Sequence, residues 1–216
     1  LKAAIGTGKG TCQLDDFEHA DLILVIGQNP ATNHPRMMAA LHDAARRGAK
    51  VVAINPLRER GFTNFSDPKA VGEMLTGRGM AVAHRIVQVR IGGDLALFKG
   101  VMKRLLELDE QARERGAARL IDEAFIAEHT TGFDALAADL AAEPWDLLVA
   151  ESGVRREEMT ELAQLYAQAP ATMATWCMGL THHEHSVATI QTLANLLLLR
   201  GNIGRPGAGA MPVRGH

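Results

Sequence analysis

The stretch Leu22-Ile-Leu-Val-Ile26, with Gly27-Gln-Asn-Pro-Ala-Thr-Asn-His-Pro35 behind it and Lys50-Val-Val-Ala-Ile54 further on, decides how this chain folds. The first run is short, wholly apolar and bounded by Asp21 and Gly27. That is the pattern of a strand covered on both faces in a parallel sheet. Pro35 suits the first turn of a helix, where its missing N–H would have no intrahelical partner anyway. Met37, Met38, Leu41, Ala44 and Ala45 then recur at helical spacing up to Arg47, and Gly48 stops the helix. The second apolar run, closed by Asn55-Pro56, repeats the first. Strand, loop, helix and strand over about 35 residues make a βαβ unit, whose loops gather at the carboxyl ends of its strands.

Outward from this unit the pattern continues. Residues 57–80 lack periodicity and read as a long loop with one short helix, a length that usually serves function or a partner surface. Val82–Val89 reads as a strand. Gly92-Gly93-Asp94 opens a helix running to about Glu110, and Asp109–Arg119 reads as a solvated helix end or linker. Ile121–Glu128 and Phe133–Ala141 read as short helices. Ser152 is placed to cap a helix from about Arg155 to Gln168, closed by Pro170. Thr172–Trp176 is a third buried strand, and His185–Leu199 a strongly apolar helix. Gly201–Pro212 reads as an extended loop, because its glycines and prolines deny a regular helix. The expected fold is α/β: a mainly parallel sheet flanked by helices, Rossmann-like, in one domain over 1–216 with 201–216 an extended glycine-rich tail.

Composition narrows the function. The hydrophobic fraction of 47% allows a sizeable core, and the net charge of −2 offers no general attraction to nucleic acid or anionic membrane. Aromatics at 4% make base-stacking platforms unexpected. The two cysteines, Cys12 and Cys177, are too few for a four-cysteine zinc or iron–sulfur site and read as idle thiols in a reducing compartment. The longest apolar run, Leu193–Leu199, is far too short to span a bilayer. The chain starts at Leu1 without a methionine and stops at His216 behind a glycine-rich loop, so both ends read as cut. No targeting segment is visible, and a cytoplasmic location is expected.

Candidate chemistry lies in the loops that follow strands. Gly27–Pro35 leads into a helix, where unpaired first-turn N–H groups and the helix dipole favour phosphate. It also supplies Asn29, Thr32, Asn33 and His34. It is neither a G-x-G-x-x-G loop nor a phosphate loop with Gly-Lys-Ser/Thr; Gly6-Thr-Gly-Lys-Gly-Thr11 resembles the latter but precedes the first strand. Taken alone, Gly27–Pro35 is more readily an Asx-type turn. Asn55 and Arg58, after the second strand, sit where nucleotide-binding folds meet sugar or base, or they form a turn with a solvated arginine. Asp94 is a third such place or a simple helix cap. His182-His-Glu-His185 invites a metal reading, but the four-residue spacing of helical ligand pairs is missing. No protein-ligated metal is expected.

Read together, Ala20–Pro30 with His34-Pro35, Gly48–Pro56, Gly92–Leu97, Tyr166–Ala169, Trp176-Cys-Met-Gly-Leu-Thr181 and Asn195–Gly209 with Pro212–Gly215 resemble, in order and spacing, the molybdopterin oxidoreductase family, specifically its formate dehydrogenase-like alpha subunits. The resemblance covers nearly the whole chain. It implies a bis(molybdopterin guanine dinucleotide) cofactor with molybdenum or tungsten, bound in part by this chain. It also implies a 4Fe-4S cluster in the parent, whose ligands, like the residue ligating the metal, lie outside this chain. Gly27, Asn29, Thr32 and His34 fall where the family meets phosphate and ribose. Asn55 and Arg58 fall where guanosine is read, although many relatives carry Asp at the position of Asn55. Gly92 and Asp94 fall on a third nucleotide-side loop. Met178, Gly179, Thr181 and His182 match the loop under the pterin. Arg214 matches the arginine that faces substrate beside the metal, and His216 the edge of that pocket. The implied partners are formate or a similar small anion, the remaining domains of the polypeptide and an electron-transfer subunit. The alternatives are a nucleotide-binding module such as the central domain of a thiamine-dependent enzyme, against which the Arg200–Gly209 tail counts, and a scaffold domain without a ligand.

Overall fold

The computed structural model describes residues 1–66 and 79–213. Among these residues lie five strands, β1 (Leu22–Ile26), β2 (Lys50–Ile54), β3 (Arg85–Val87), β4 (Thr172–Trp176) and β5 (Gly209–Pro212). All pair in parallel, in the order β3-β2-β1-β4-β5. The order reverses between β1 and β4, so the carboxyl ends of these two strands flank a topological switch point, the place where open α/β sheets bind ligands. Among the described residues the helices are α1 (Lys2–Ile5), α2 (Pro30–Asn33), α3 (Pro35–Arg47), α4 (Arg60–Thr63), α5 (Asp94–Glu114), α6 (Glu123–His129), α7 (Phe133–Ala142), α8 (Trp145–Ser152), α9 (Arg156–Gln168), α10 (Met178–Thr181) and α11 (Ser186–Leu198). None of them is long and apolar enough to cross a membrane.

Every residue of β1 is buried, as its unbroken apolar run requires. Alternate residues feed opposite layers. Leu22, Leu24 and Ile26 join Leu97, Val101 and Leu105 of α5, Leu162 and Tyr166 of α9, and Leu193 and Leu197 of α11. Ile23 and Val25 join Met38 and Leu41 of α3, with Phe17 and Phe62. Gly48 caps α3 with φ 107°, so its N–H closes onto Ala44 and Ala45 carbonyls.

Three local readings change. The tail read as an extended loop forms β5 over Gly209–Pro212. Glycine and proline, which weaken a central strand, are tolerated at this sheet edge. Ser152 caps no helix start. It ends α8, fully buried, with its hydroxyl donating to Leu148 O (2.6 Å) and accepting from Val154 N–H (3.1 Å). Asp109 is not solvated either: its carboxylate accepts from the backbone N–H groups of Leu120 (2.6 Å) and Ile121 (3.2 Å) and pairs with Arg119. Of the long loop read over 57–80, residues 67–78 lie outside the described residues, and α4 is the short helix in the rest.

Behind the sheet, the Tyr166 hydroxyl donates to Leu196 O (2.5 Å) and accepts from Asn202 Nδ2 (2.9 Å), while Asn202 Oδ1 accepts from Thr172 N–H (3.1 Å). This buried chain ties α9 and α11 to the first residue of β4. Tyr166→Phe leaves one acceptor and one donor without a partner, so chemical denaturation should show a loss of about 1–2 kcal/mol.

Candidate functional site

Four loops leave the carboxyl ends of β1, β2, β3 and β4 and enclose a crevice of about 360 Å³, within the range of small-molecule sites. It is lined by Gly27, Gln28 and Asn29 after β1, Asn55, Leu57 and Glu59 after β2, Ile91 and Asp94 after β3, and Gly179 and His183 after β4. A larger depression, about 790 Å³, runs along the outer flank of α3 past Phe17, Pro35, Ala40 and Arg47. It lies away from the strand tips, and its Arg47 is already occupied by the carbonyls of Phe17 and Ala20. The smaller crevice is therefore the candidate site.

Backbone approach shapes its floor. Gly27 has φ +58, and a Cβ there would sit 2.7 Å from the Gly179 carbonyl carbon. A Cβ on Gly179 would sit 2.7 Å from Gly27 O. Gly179 N–H donates to that same oxygen at 3.2 Å. Only glycine at both positions lets the loop after β1 and α10 touch through bare backbone.

The three carboxamides of the lining divide into two held by the protein and one that is not. Asn55 is 4% exposed and forms a reciprocal pair with the backbone of Gln28: Gln28 N–H donates to its Oδ1 (3.0 Å), and its Nδ2 donates to Gln28 O (2.6 Å). Its carboxamide thus locks the β1 loop to the β2 loop. An ionised aspartate at this position could accept from the N–H but could not donate to the carbonyl. Asn29 Nδ2 donates to Glu59 Oε2 (2.7 Å), another bridge between the same two loops. The Gln28 side chain is buried to the same degree as Asn55, yet neither its Nε2 nor its Oε1 has a hydrogen-bond partner among the described residues. Buried amides in native proteins are nearly always paired.

Asp94 is the first residue of α5 and is also buried. Its carboxyl is pushed up to about 6, chiefly by burial, with the charge of His183 and a hydrogen bond from its own backbone N–H pulling the other way. The folded chain therefore holds a proton that the unfolded chain releases near pH 4. By linkage, the group's stabilising contribution is present below the ordinary carboxylate range and lost as pH rises towards 6. Asp94→Asn, which cannot ionise, should be more stable than the native chain at about pH 7.5 by about 1–3 kcal/mol, and the gap should close below about pH 4. Denaturation midpoints at the two pH values check this.

Of the residues singled out from sequence, the fold brings Gly27, Asn29, Asn55, Asp94 and Gly179 to the crevice. Thr32 on α2, Arg58, Gly92, Met178, Thr181 and His182 are exposed on the segments around it and do not line it. His34, half-buried, joins α2 to α3. Arg214 and His216 lie outside the described residues. Sequence reading passed over Gln28, Glu59 and Ile91, and it weighed His183 only as a metal ligand. Gln28 stood between two residues already chosen, and nothing in the sequence says which of three neighbouring polar side chains is left without a partner. Cys12 and Cys177 are both free thiols, and no three His, Cys, Asp or Glu side chains among the described residues converge as metal ligands.

Comparison with known proteins agrees with this architecture. The chain is 49% identical over its full length to Protein YdeP of Escherichia coli (strain K12), covering 28% of that protein. It is 44% identical to the uncharacterized oxidoreductase Rv2900c of Mycobacterium tuberculosis (strain ATCC 25618 / H37Rv), covering all of the chain and 27% of the relative. It is 28% identical to formate dehydrogenase H of Escherichia coli (strain K12), again over the full chain and 26% of that enzyme. It thus spans just over a quarter of the length of these curated relatives. Among solved structures, acetylene hydratase from Pelobacter acetylenicus shares the fold with a TM-score of 0.74 at 21% identity, over 97% of this chain and 24% of that one. The molybdopterin oxidoreductase family profile matches residues 4–214, and the chain belongs to that family.

Proposed function

We propose that this chain is the part of a larger oxidoreductase that holds the guanosine and pyrophosphate of one molybdopterin guanine dinucleotide. The observation that carries the reading is the convergence of four parallel strand tips on one crevice at the point where strand order reverses. The residues present suit such a group. Gly27 and Gly179 let the loops after β1 and β4 pack backbone to backbone at its floor, and a buried, unpartnered carboxamide and a buried carboxyl lie beside them. Gly27, Asn29, Thr32 and His34 would hold phosphate and ribose. Arg58, Gly92 and Asp94 would hold the guanosine, with Asn55 positioning the loops. Met178, Gly179, Thr181 and His182 would lie under the pterin.

When bound, the cofactor supplies the molybdenum or tungsten redox centre, while the protein supplies orientation and electrostatics. Arg214 would hold a small carboxylate substrate through its planar fork, with formate the anion that the family resemblance suggests, and His216 would border the same pocket. In this reading the parent carries a 4Fe-4S cluster and the metal-ligating residue on other segments, passes electrons to a further subunit and works in the cytoplasm.

The test is a cofactor assay on the full-length protein that contains this chain. Acid hydrolysis should release GMP together with molybdenum or tungsten. Metal with no guanine nucleotide, or bound thiamine diphosphate in its place, would overturn the reading.

A further inference from the structure

Three carboxamide side chains, Gln28, Asn29 and Asn55, line the crevice beside the switch point, and two of them are engaged. Asn55 is held at both ends by the Gln28 backbone, and Asn29 is held by Glu59. The side chain of Gln28 is left over, 4% exposed, with donor and acceptor both without a partner. Burying an amide without compensation costs stability, so its retention calls for a group that completes it. A carboxamide presents one donor edge and one acceptor edge side by side, and it matches a planar partner with an adjacent acceptor and donor. Leu57 and Ile91, both exposed apolar side chains, border the same crevice and offer apolar contact to a flat ring.

We infer that Gln28, rather than Asn55, reads the heterocycle bound here, through paired hydrogen bonds to a 2-amino-4-oxopyrimidine edge. Guanine and pterin share that edge. The inference rests on the cofactor reading above and names the residue that holds the ring of the ligand.

The experiment uses the full-length protein that contains this chain, prepared without its cofactor, and its Gln28→Met variant, which keeps the bulk and removes both hydrogen-bonding groups. Each is titrated by calorimetry with GMP, ribose 5-phosphate and 6-hydroxymethylpterin, and each is melted without ligand. The native protein should bind GMP or the pterin at least tenfold more tightly than ribose 5-phosphate, which lacks the ring, a tenfold ratio being about 1.4 kcal/mol. A preference for GMP over the pterin assigns the crevice to the guanine end of the cofactor, and the reverse assigns it to the pterin end. Gln28→Met should lose that selectivity, with affinity for the favoured ligand falling about tenfold, while its melting temperature rises. Unchanged affinity and selectivity in the variant would overturn the role of Gln28 and leave the cofactor reading standing. A lower melting temperature would also overturn it, by showing that the protein itself holds the amide. Failure of the native protein to bind either GMP or the pterin would overturn both.

Discussion

Gly27→Ala should destabilise the chain by about 2–5 kcal/mol, and urea denaturation will show it as a shift in midpoint at unchanged slope. Two costs add. The residue sits at φ +58, where a Cβ costs about 1–2 kcal/mol. The new methyl would also lie 2.7 Å from the Gly179 carbonyl carbon and 2.8 Å from Leu180 N. Both are backbone atoms, so no side chain can swing aside, and overpacking of this kind costs about 1–3 kcal/mol. Gly179→Ala meets the same wall from the other side, its Cβ 2.7 Å from Gly27 O, but carries no positive φ. It should cost only the second part. A Gly179 variant as damaging as the Gly27 variant would show that the left-handed turn contributes nothing.

Asn55→Ala should cost about 2–4 kcal/mol by the same measurement. The substitution removes two buried hydrogen bonds, at 2.6 and 3.0 Å, and leaves the N–H and carbonyl of Gln28 without partners in the crevice wall. Removing both members of such a pair can be nearly neutral, but here the backbone partners stay behind. The loop after β1 should also loosen, so hydrogen exchange at Gln28 N–H should quicken in the variant more than at Leu24 within β1. A loss below about 1 kcal/mol with unchanged exchange would mean that the reciprocal pair is not what joins the two loops.

Much of this fold is written in local patterns. β1 is a five-residue apolar run and β2 and β4 are mostly apolar five-residue runs, with Lys50 opening β2 and Thr172 and Thr175 in β4, and α3 is bounded by Pro35 and Gly48 as its sequence says. What escaped depended on long-range partners. β5 looks like a loop because glycine and proline dominate it, and it becomes a strand only through β4 and through Thr11, whose N–H donates to Ala210 O and whose hydroxyl accepts from Ala210 N–H. α8 went unread, and its last residue, Ser152, looked like a cap for the next helix. Asp109 looked solvated because its neighbours are charged, while its burial comes from Leu120 and Ile121 folding back over it.

The site was legible to a similar depth. That loops after β1, β2 and β4 would meet followed from parallel strand order alone. Gly27, Asn29, Asn55, Asp94 and Gly179 do meet. The division of labour among them did not follow, because it is set by hydrogen bonds between loops that are 27 and 30 residues apart in sequence. Asn55 and Asn29 serve as struts, and the unpartnered group is Gln28.

The central claim is that the strand-tip crevice takes a guanine-bearing ligand. Backbone amide resonances of the isotopically labelled chain, followed while GMP is added, test it most directly. Shifts that saturate together at Gly27, Gln28, Asp94 and Gly179 are what this account predicts. Saturating shifts confined to a separate depression lined by Arg119, Asp122, Arg200 and Arg205, with the four crevice amides unmoved, would contradict it.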